Sequence, residues 1–278
     1  MHWIVEKNEH SETTQKIIKA LQELNIKYSL HIIVPIAGEI LGELPDNSEK
    51  VTCYGPYSMR NYLKNYNFYP GTYDLEPFDF NMQKYYWNER MLNFDSEVLK
   101  FKDINQWPDD EVRFLRPIKD SKVFSGNIFE WKEFKEWQDK IVVLGNDYGD
   151  TLSGETLVQI ASPKNIYKEF RVWVVDGVVV ETSQYRENLR LKTQTHEHTP
   201  IDVINYVNNS VEIWNPHDVF VVDIALLKNG DKKIIEINTF NAAGFYKADI
   251  KKVVVAIEEM EKKKDLIKSK EAFSFKKG

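Results

Sequence analysis

Asp223, Glu236 and Asn238 are three oxygen-bearing side chains set where two late apolar runs of this chain can bring them together. The runs are VFVVDIALL over residues 219–227 and KKIIEIN over 232–238, and Lys228-Asn229-Gly230-Asp231 lies between them. Asn-Gly between β-branched runs is the strongest short hairpin signal, because a type I′ turn needs positive φ at both central residues. With Asn229 and Gly230 as that two-residue turn, Asp223 falls directly opposite Glu236, and Asn238 follows two steps along the same face. Facing carboxylates in apolar surroundings destabilise a sheet unless a cation sits between them. Neutralising either acid is therefore expected to leave stability unchanged or higher. Hard oxygen donors suit Mg²⁺, which combines one or two carboxylates with the phosphates of a nucleotide. The alternative is a one-sided sheet whose acids point to water.

A second hairpin carries cations. KEFRVWVV over 168–175 meets VVVETSQYR over 178–186 across Asp176-Gly177, again the chemistry of a two-residue turn. That register puts Arg171 opposite Thr182 and Glu169 opposite Gln184, with Arg186 one step further on the same face. Two arginines and a carboxylate then share one surface. The face could hold an anion, since the guanidinium fork suits phosphate or carboxylate, or it is a solvated ladder of charge pairs. Upstream, RFLRPIKDSKVFSG over 113–126 runs a strand into a loop with cations and a glycine. The chain has neither the Walker loop nor the Rossmann glycine fingerprint. His196 and His198 flank Glu197 in a polar loop and read as surface residues rather than metal ligands. The one cysteine, Cys53, sits in an apolar strand and reads as a buried, inert thiol, so neither a disulfide within the chain nor a thiolate zinc site is available.

The elements that must position these groups follow from periodicity. A helix opens at Ser11 with Ile17, Ile18, Leu21 and Leu24 at helical spacing, and strands are expected at 27–34 and 51–54. This strand and helix alternation is that of an α/β layer, placed at residues 1–105. Residues 65–91 are dense in aromatics, read as packing between domains rather than as a platform for bases. After a connector at 103–110, further strands are expected at 113–116, 141–144, 157–160, 168–175 and 178–182. Helices are expected at 131–137, at 200–208 with Thr199 as N-cap and Pro200 first, and at 251–267, with 268–278 frayed. The 278 residues, 42% hydrophobic and 13% aromatic, suffice for large cores. A net charge of −6 with no basic block disfavours nucleic acid as a generic partner. No apolar stretch approaches the roughly 18 residues of a membrane span, and the amino terminus lacks a signal-peptide layout, so a soluble, cytoplasmic protein is expected.

Taken together, Arg116-Pro117, the run Glu169–Gly177 and the late Asp223 with EINTFNAAG over 236–244 resemble the ATP-grasp superfamily, nearest its RimK-like clade, often found in phage and bacterial genomes. The likeness covers about residues 105–250 well and the amino-terminal third in general layout. It implies an ATP-grasp fold of mixed α/β and α+β class: an amino-terminal α/β domain at 1–105, a nucleotide-binding and catalytic domain at 106–250, and a C-terminal helix and tail at 251–278. It also implies an ATP-dependent carboxylate–amine ligase forming C–N bonds through an acyl phosphate, on a small-molecule or peptide substrate with an amine acceptor. By position, Asp223, Glu236 and Asn238 resemble the ligands of Mg²⁺, expected as two ions, and Arg171 the phosphate-side arginine. Arg116 stands where many relatives have a lysine on the α-phosphate, and Lys122 is a second phosphate contact. Gln159, Ile160 and Ala161 would form the hinge that reads adenine. Glu169 would hold the ribose or orient Arg171, and Arg186 would meet the acyl phosphate or the acceptor carboxylate. The polar segment 189–199 is the expected lid. A small-molecule kinase and a non-catalytic binding module are the competing readings.

Overall fold

A computed structural model describes residues 1–275 except 35–38, 47, 76–77, 120–122 and 146–151. The amino-terminal layer comprises β1 (His2–Glu6), α1 (Glu12–Glu23), β2 (Tyr28–Val34), β3 (Glu39–Leu41), β4 (Val51–Tyr54), α2 (Met59–Leu63) and β5 (Pro70–Gly71). Its sheet runs β3-β2-β1-β4-β5 and is parallel except for the β2–β3 edge. Ser11 caps α1 as expected, its hydroxyl accepting from Thr14 N at 3.2 Å.

Next come α3 (Phe80–Trp87), β6 (Glu97–Lys100), β7 (Val112–Pro117), β8 (Asn127–Glu130), α4 (Trp131–Leu144) and β9 (Leu157–Ala161). The four strands form a small antiparallel sheet in the order β6-β9-β7-β8. β6 lies inside the span read as the first domain, yet it pairs with β9. Residues 141–144, expected as a strand, are the last turn of α4, which Gly145 ends in the left-handed region at φ 61°. A four-residue apolar run does not distinguish a strand from a helix end.

The large sheet is built from β10 (Ile166–Val175), β11 (Val178–Glu187), β12 (Arg190–Gln194), β13 (Val219–Leu227) and β14 (Lys232–Asn238), in the order β12-β11-β10-β13-β14, all antiparallel. α5 (Ile201–Ile213) joins β12 to β13, and α6 (Ile250–Phe275) closes the described chain. Pro200 is the cap of α5 rather than its first residue, and the Thr199 hydroxyl bonds Thr182 at 2.7 Å instead of capping. α6 continues to Phe275, through most of the stretch expected to fray. The expected lid is folded as β12 followed by a 3₁₀ turn at His196–His198, with His196 Nδ1 3.0 Å from the Thr182 hydroxyl.

Alternation along β10 and β13 gives the large sheet two buried faces. Phe170, Val172, Val174, Phe220, Val222 and Ile224 pack with Val203, Val207 and Val211 of α5 and with Phe80 and Trp87. On the other face Trp173, Val175, Val219 and Val221 pack with Trp3, Val5, Ile17 and Leu21 and with Val253, Val254 and Ile257 of α6. One core thus joins the amino-terminal layer to the large sheet, and α6 belongs to it. Trp3 Nε1 donates to Glu258 at 2.8 Å, tying that helix to β1. Where this second face runs past its apolar residues, Arg171 and Asp223 take the next positions.

Candidate active site

β10, β13 and β14 lie side by side, and the pairs Arg171 with Asp223 and Asp223 with Glu236 place three charged residues in one row across them. The facing of Asp223 and Glu236 is as expected, but the turn is not. Leu227 N donates to Asp231 O at 2.8 Å, so Lys228, Asn229 and Gly230 form a three-residue loop in which Gly230 alone has positive φ, +90°. That loop shifts the register by one, and Ile235, left unmatched in a bulge between the Asp223 and Ile224 pairs, shifts it back.

Asp223 is 2% exposed. Arg171 grips it with two parallel bonds, Nε to Oδ1 at 2.9 Å and Nη2 to Oδ2 at 2.8 Å, while Nη1 donates to Gly244 O at 3.3 Å. Burial pushes the Asp223 carboxyl up, Arg171 pulls it back, and Glu236 adds to the rise. Burial also works against the Arg171 charge, but Asp223 outweighs it and the guanidinium is held more firmly protonated than usual. Asn238 Nδ2 lies 3.3 Å from Asp223 Oδ2 and 3.3 Å from Glu236 Oε1. Arg116 reaches from β7 of the small sheet to pair with Glu236. The site therefore spans the cleft between the two antiparallel sheets, with two arginines set against two acids.

The cationic hairpin differs from its expected register. Asp176 and Gly177, at φ 50° and 75°, form the expected turn, but bulges leave Val180 and Tyr185 unmatched. Arg171 faces Ser183 rather than Thr182, and Glu169 faces Arg186 rather than Gln184. Glu169 and Arg186 form an ion pair at 3.6 Å. The extra residue Tyr185 stacks on Tyr246 at 5.1 Å, and the two rings lie 5.7 and 5.3 Å from the Arg171 guanidinium. Neither tyrosine was singled out in the sequence, because a bulge leaves no local signature. Burial pushes the Tyr185 phenol up, with Asp223 and Glu169 adding to it.

Gln159 and Ile160 lie in β9, which is flanked on both sides, by β6 along 157–160 and by β7 along 158–161, so the ladders engage their backbone. Ala161 is paired to β7 alone and begins the crossing to β10. Arg116 is the cross-strand partner of Gln159. Lys122 lies outside the described residues. Cys53 is fully buried, and burial pushes its thiol up, which fits an inert role.

Among the described residues no three His, Cys, Asp or Glu side chains gather as a metal centre. Two carboxylates and an amide are on offer. A half-turn of the Asn238 amide would present Oδ1 where Nδ2 now faces both acids. This all-oxygen set fits Mg²⁺, with phosphate oxygens completing its octahedron.

No curated protein matches the sequence. Among solved structures, the chain is similar to a D-alanine–D-alanine ligase from Bacillus anthracis complexed with ATP, with TM-score 0.56 and 13% identity over 98% of this chain and 99% of that one. It is similar to D-alanyl-alanine synthetase A from Vibrio cholerae, with TM-score 0.56 and 9% identity over 92% and 93% of the two chains. The ATP-grasp ligase PsnB, complexed with a minimal precursor, gives TM-score 0.51 and 10% identity over 87% and 91%. At such identities these likenesses show the fold, two antiparallel sheets clasping a cleft beside an amino-terminal α/β layer. Residues 56–257 match the ATP-grasp domain model of family 3 in the RimK-like clade, and the chain belongs to that family.

Proposed function

We propose that the protein is an ATP- and Mg²⁺-dependent carboxylate–amine ligase that works through an acyl phosphate and releases ADP and phosphate. The observation that carries this reading is the row Arg171, Asp223 and Glu236 with Asn238, set in a cleft that Arg116 bridges. The similar Bacillus anthracis structure, itself a ligase complexed with ATP, supports it.

A carboxylate and the γ-phosphate of ATP repel each other, so the site must offset several negative charges at once. Mg²⁺, held by Asp223, Glu236 and Asn238 and expected as two ions, would supply charge neutralisation on the β- and γ-phosphates. Arg171 keeps the buried Asp223 ionised and oriented as a ligand, a correction to the expectation that it faces phosphate directly. Arg116 exchanges Glu236 for a phosphate oxygen, with Lys122 as second phosphate contact. Adenine meets backbone from Ala161 onward, past the doubly paired Gln159 and Ile160. Glu169 holds Arg186 for the acyl phosphate. The substrate carboxylate oxygen attacks the γ-phosphorus and ADP leaves. The amine nitrogen then attacks the acyl carbon, phosphate departs with the bonding pair, and the amine loses a proton as the amide forms.

The test is to incubate the purified protein with ATP, Mg²⁺ and pools of amino acids and peptides. ADP and phosphate are expected. AMP would refute the acyl-phosphate route, and a stable phosphorylated product would indicate a kinase.

A further inference from the structure

The loop that leaves Asn238 does a second job. It forms one wall of a pocket of ≈ 240 Å³ through Thr239 and Asn241, and the amino-terminal layer forms the other through Tyr57, Met59, Arg60 and Thr72. Asn241 is 7% exposed and stitched in place: its backbone oxygen accepts from Gly55 N at 2.9 Å, and its Nδ2 donates to Cys53 O. A carbonyl can only accept, so that bond fixes which way the amide points. Its Oδ1 is then a buried acceptor with no partner among the described residues. Leaving such an atom unmet costs free energy, which a ligand N–H entering the pocket would recover.

The facing wall supplies the opposite chemistry. Arg60 Nη1 donates to Asp74 Oδ1 at 3.0 Å, and the guanidinium lies 3.7 Å from the centre of the Tyr57 ring. Asp74 and Tyr57 hold the guanidinium at the pocket, where a ligand carboxylate can share its fork with Asp74. Met59 and Ala242 add small apolar surface. An acceptor for an amine, a guanidinium for a carboxylate and room for little else describe one ligand class. Asn241 stands three residues after Asn238, so an amine held by it is delivered beside the phosphate end of the cleft.

We propose that this pocket takes the amine substrate and that this substrate is a free amino acid with a small side chain, its amine donating to Asn241 Oδ1 and its carboxylate held by Arg60. This deepens the ligase reading and rests on it for the statement that the bound amine reacts. It moves recognition of the acceptor carboxylate from Arg186 to Arg60.

Calorimetric binding of glycine, glycinamide and N-acetylglycine to the full chain, with and without a non-hydrolysable ATP analogue and Mg²⁺, tests it. Glycine is expected to bind at least tenfold tighter than either blocked form, and Arg60→Gln is expected to bring the glycine-to-glycinamide ratio below threefold. The blocked probes interrogate the Asn241 end on the wild-type protein, since replacing Asn241 would also break its anchor to Cys53. Equal binding of glycine and glycinamide, a preference that survives Arg60→Gln, or no binding of glycine, alanine or serine overturns the proposal. Failure of the ligase reading looks different: amino acid binding stays intact while ATP yields AMP or nothing. Glu236→Gln, outside the pocket, is expected to bind glycine as the wild type does.

Discussion

Asp223 and Glu236 face each other with like charge, yet they are held differently and should respond differently to neutralisation. Asp223 shares a nearly dry pair with Arg171, whose side chain is 13% exposed. Asp223→Asn would strand that guanidinium, and a loss of about 3 kcal/mol in urea denaturation is expected. Glu236 and Arg116 are 26% and 22% exposed, so Glu236→Gln should stay within about 0.5 kcal/mol. Both variants should lose ADP release. Equal stability of the two would mean that the Arg171–Asp223 pair does not form. The expectation that neutralising either acid would spare or raise stability thus fails for Asp223. Its cause is not local, since Arg171 lies 52 positions away and only the adjacency of β10 and β13 brings it near.

At the scale of elements, the acidic hairpin shows how a right answer arises from two compensating errors. Asn229-Gly230 correctly marked a reversal, but the loop has three residues, and the bulge at Ile235 restores the pairing of Asp223 with Glu236. No sequence rule reveals a bulge, because its residues are ordinary β-formers. The same blindness displaced Arg171 and Glu169 along β11 and hid Tyr185. Gly145, by contrast, was a legible stop for α4 and should have outweighed the β-branched run before it. The paired acids, Asn238 and both reversals were legible because turn chemistry and period-two alternation are local. Gly230→Ala tests the loop: a Cβ there would meet no atom within 4 Å, so the cost is conformational, about 1 kcal/mol. Unfolding midpoints should show that loss while turnover stays near wild type. A much larger loss would mean that the loop, rather than the bulge, sets the register.

The molecule as a whole is knit by its shared core and by histidines that burial holds neutral. Among the described residues no helix is long and apolar enough to cross a membrane. Burial lowers the pKa of His2, of His31 and of His217. As pH falls below the ordinary value of about 6.5, the unfolded chain takes up these protons first. Stability should therefore be full above that pH and decline as pH drops toward the lowered folded values. Urea midpoints at pH 7.5 and 5.5 should differ accordingly, and a flat profile would show that these rings are open to water when folded. Arg116→Gln should raise the KM for ATP at least tenfold, read from ADP release, with stability within about 0.5 kcal/mol. An unchanged KM would place Arg116 outside nucleotide binding. A nucleotide entering between the sheets finds that arginine already engaged with a resident carboxylate, so the measured affinity is what is left after one anion has displaced another. Added salt weakens the incumbent as well as the newcomer, and ionic strength should erode nucleotide binding less than an unoccupied arginine would lead one to expect.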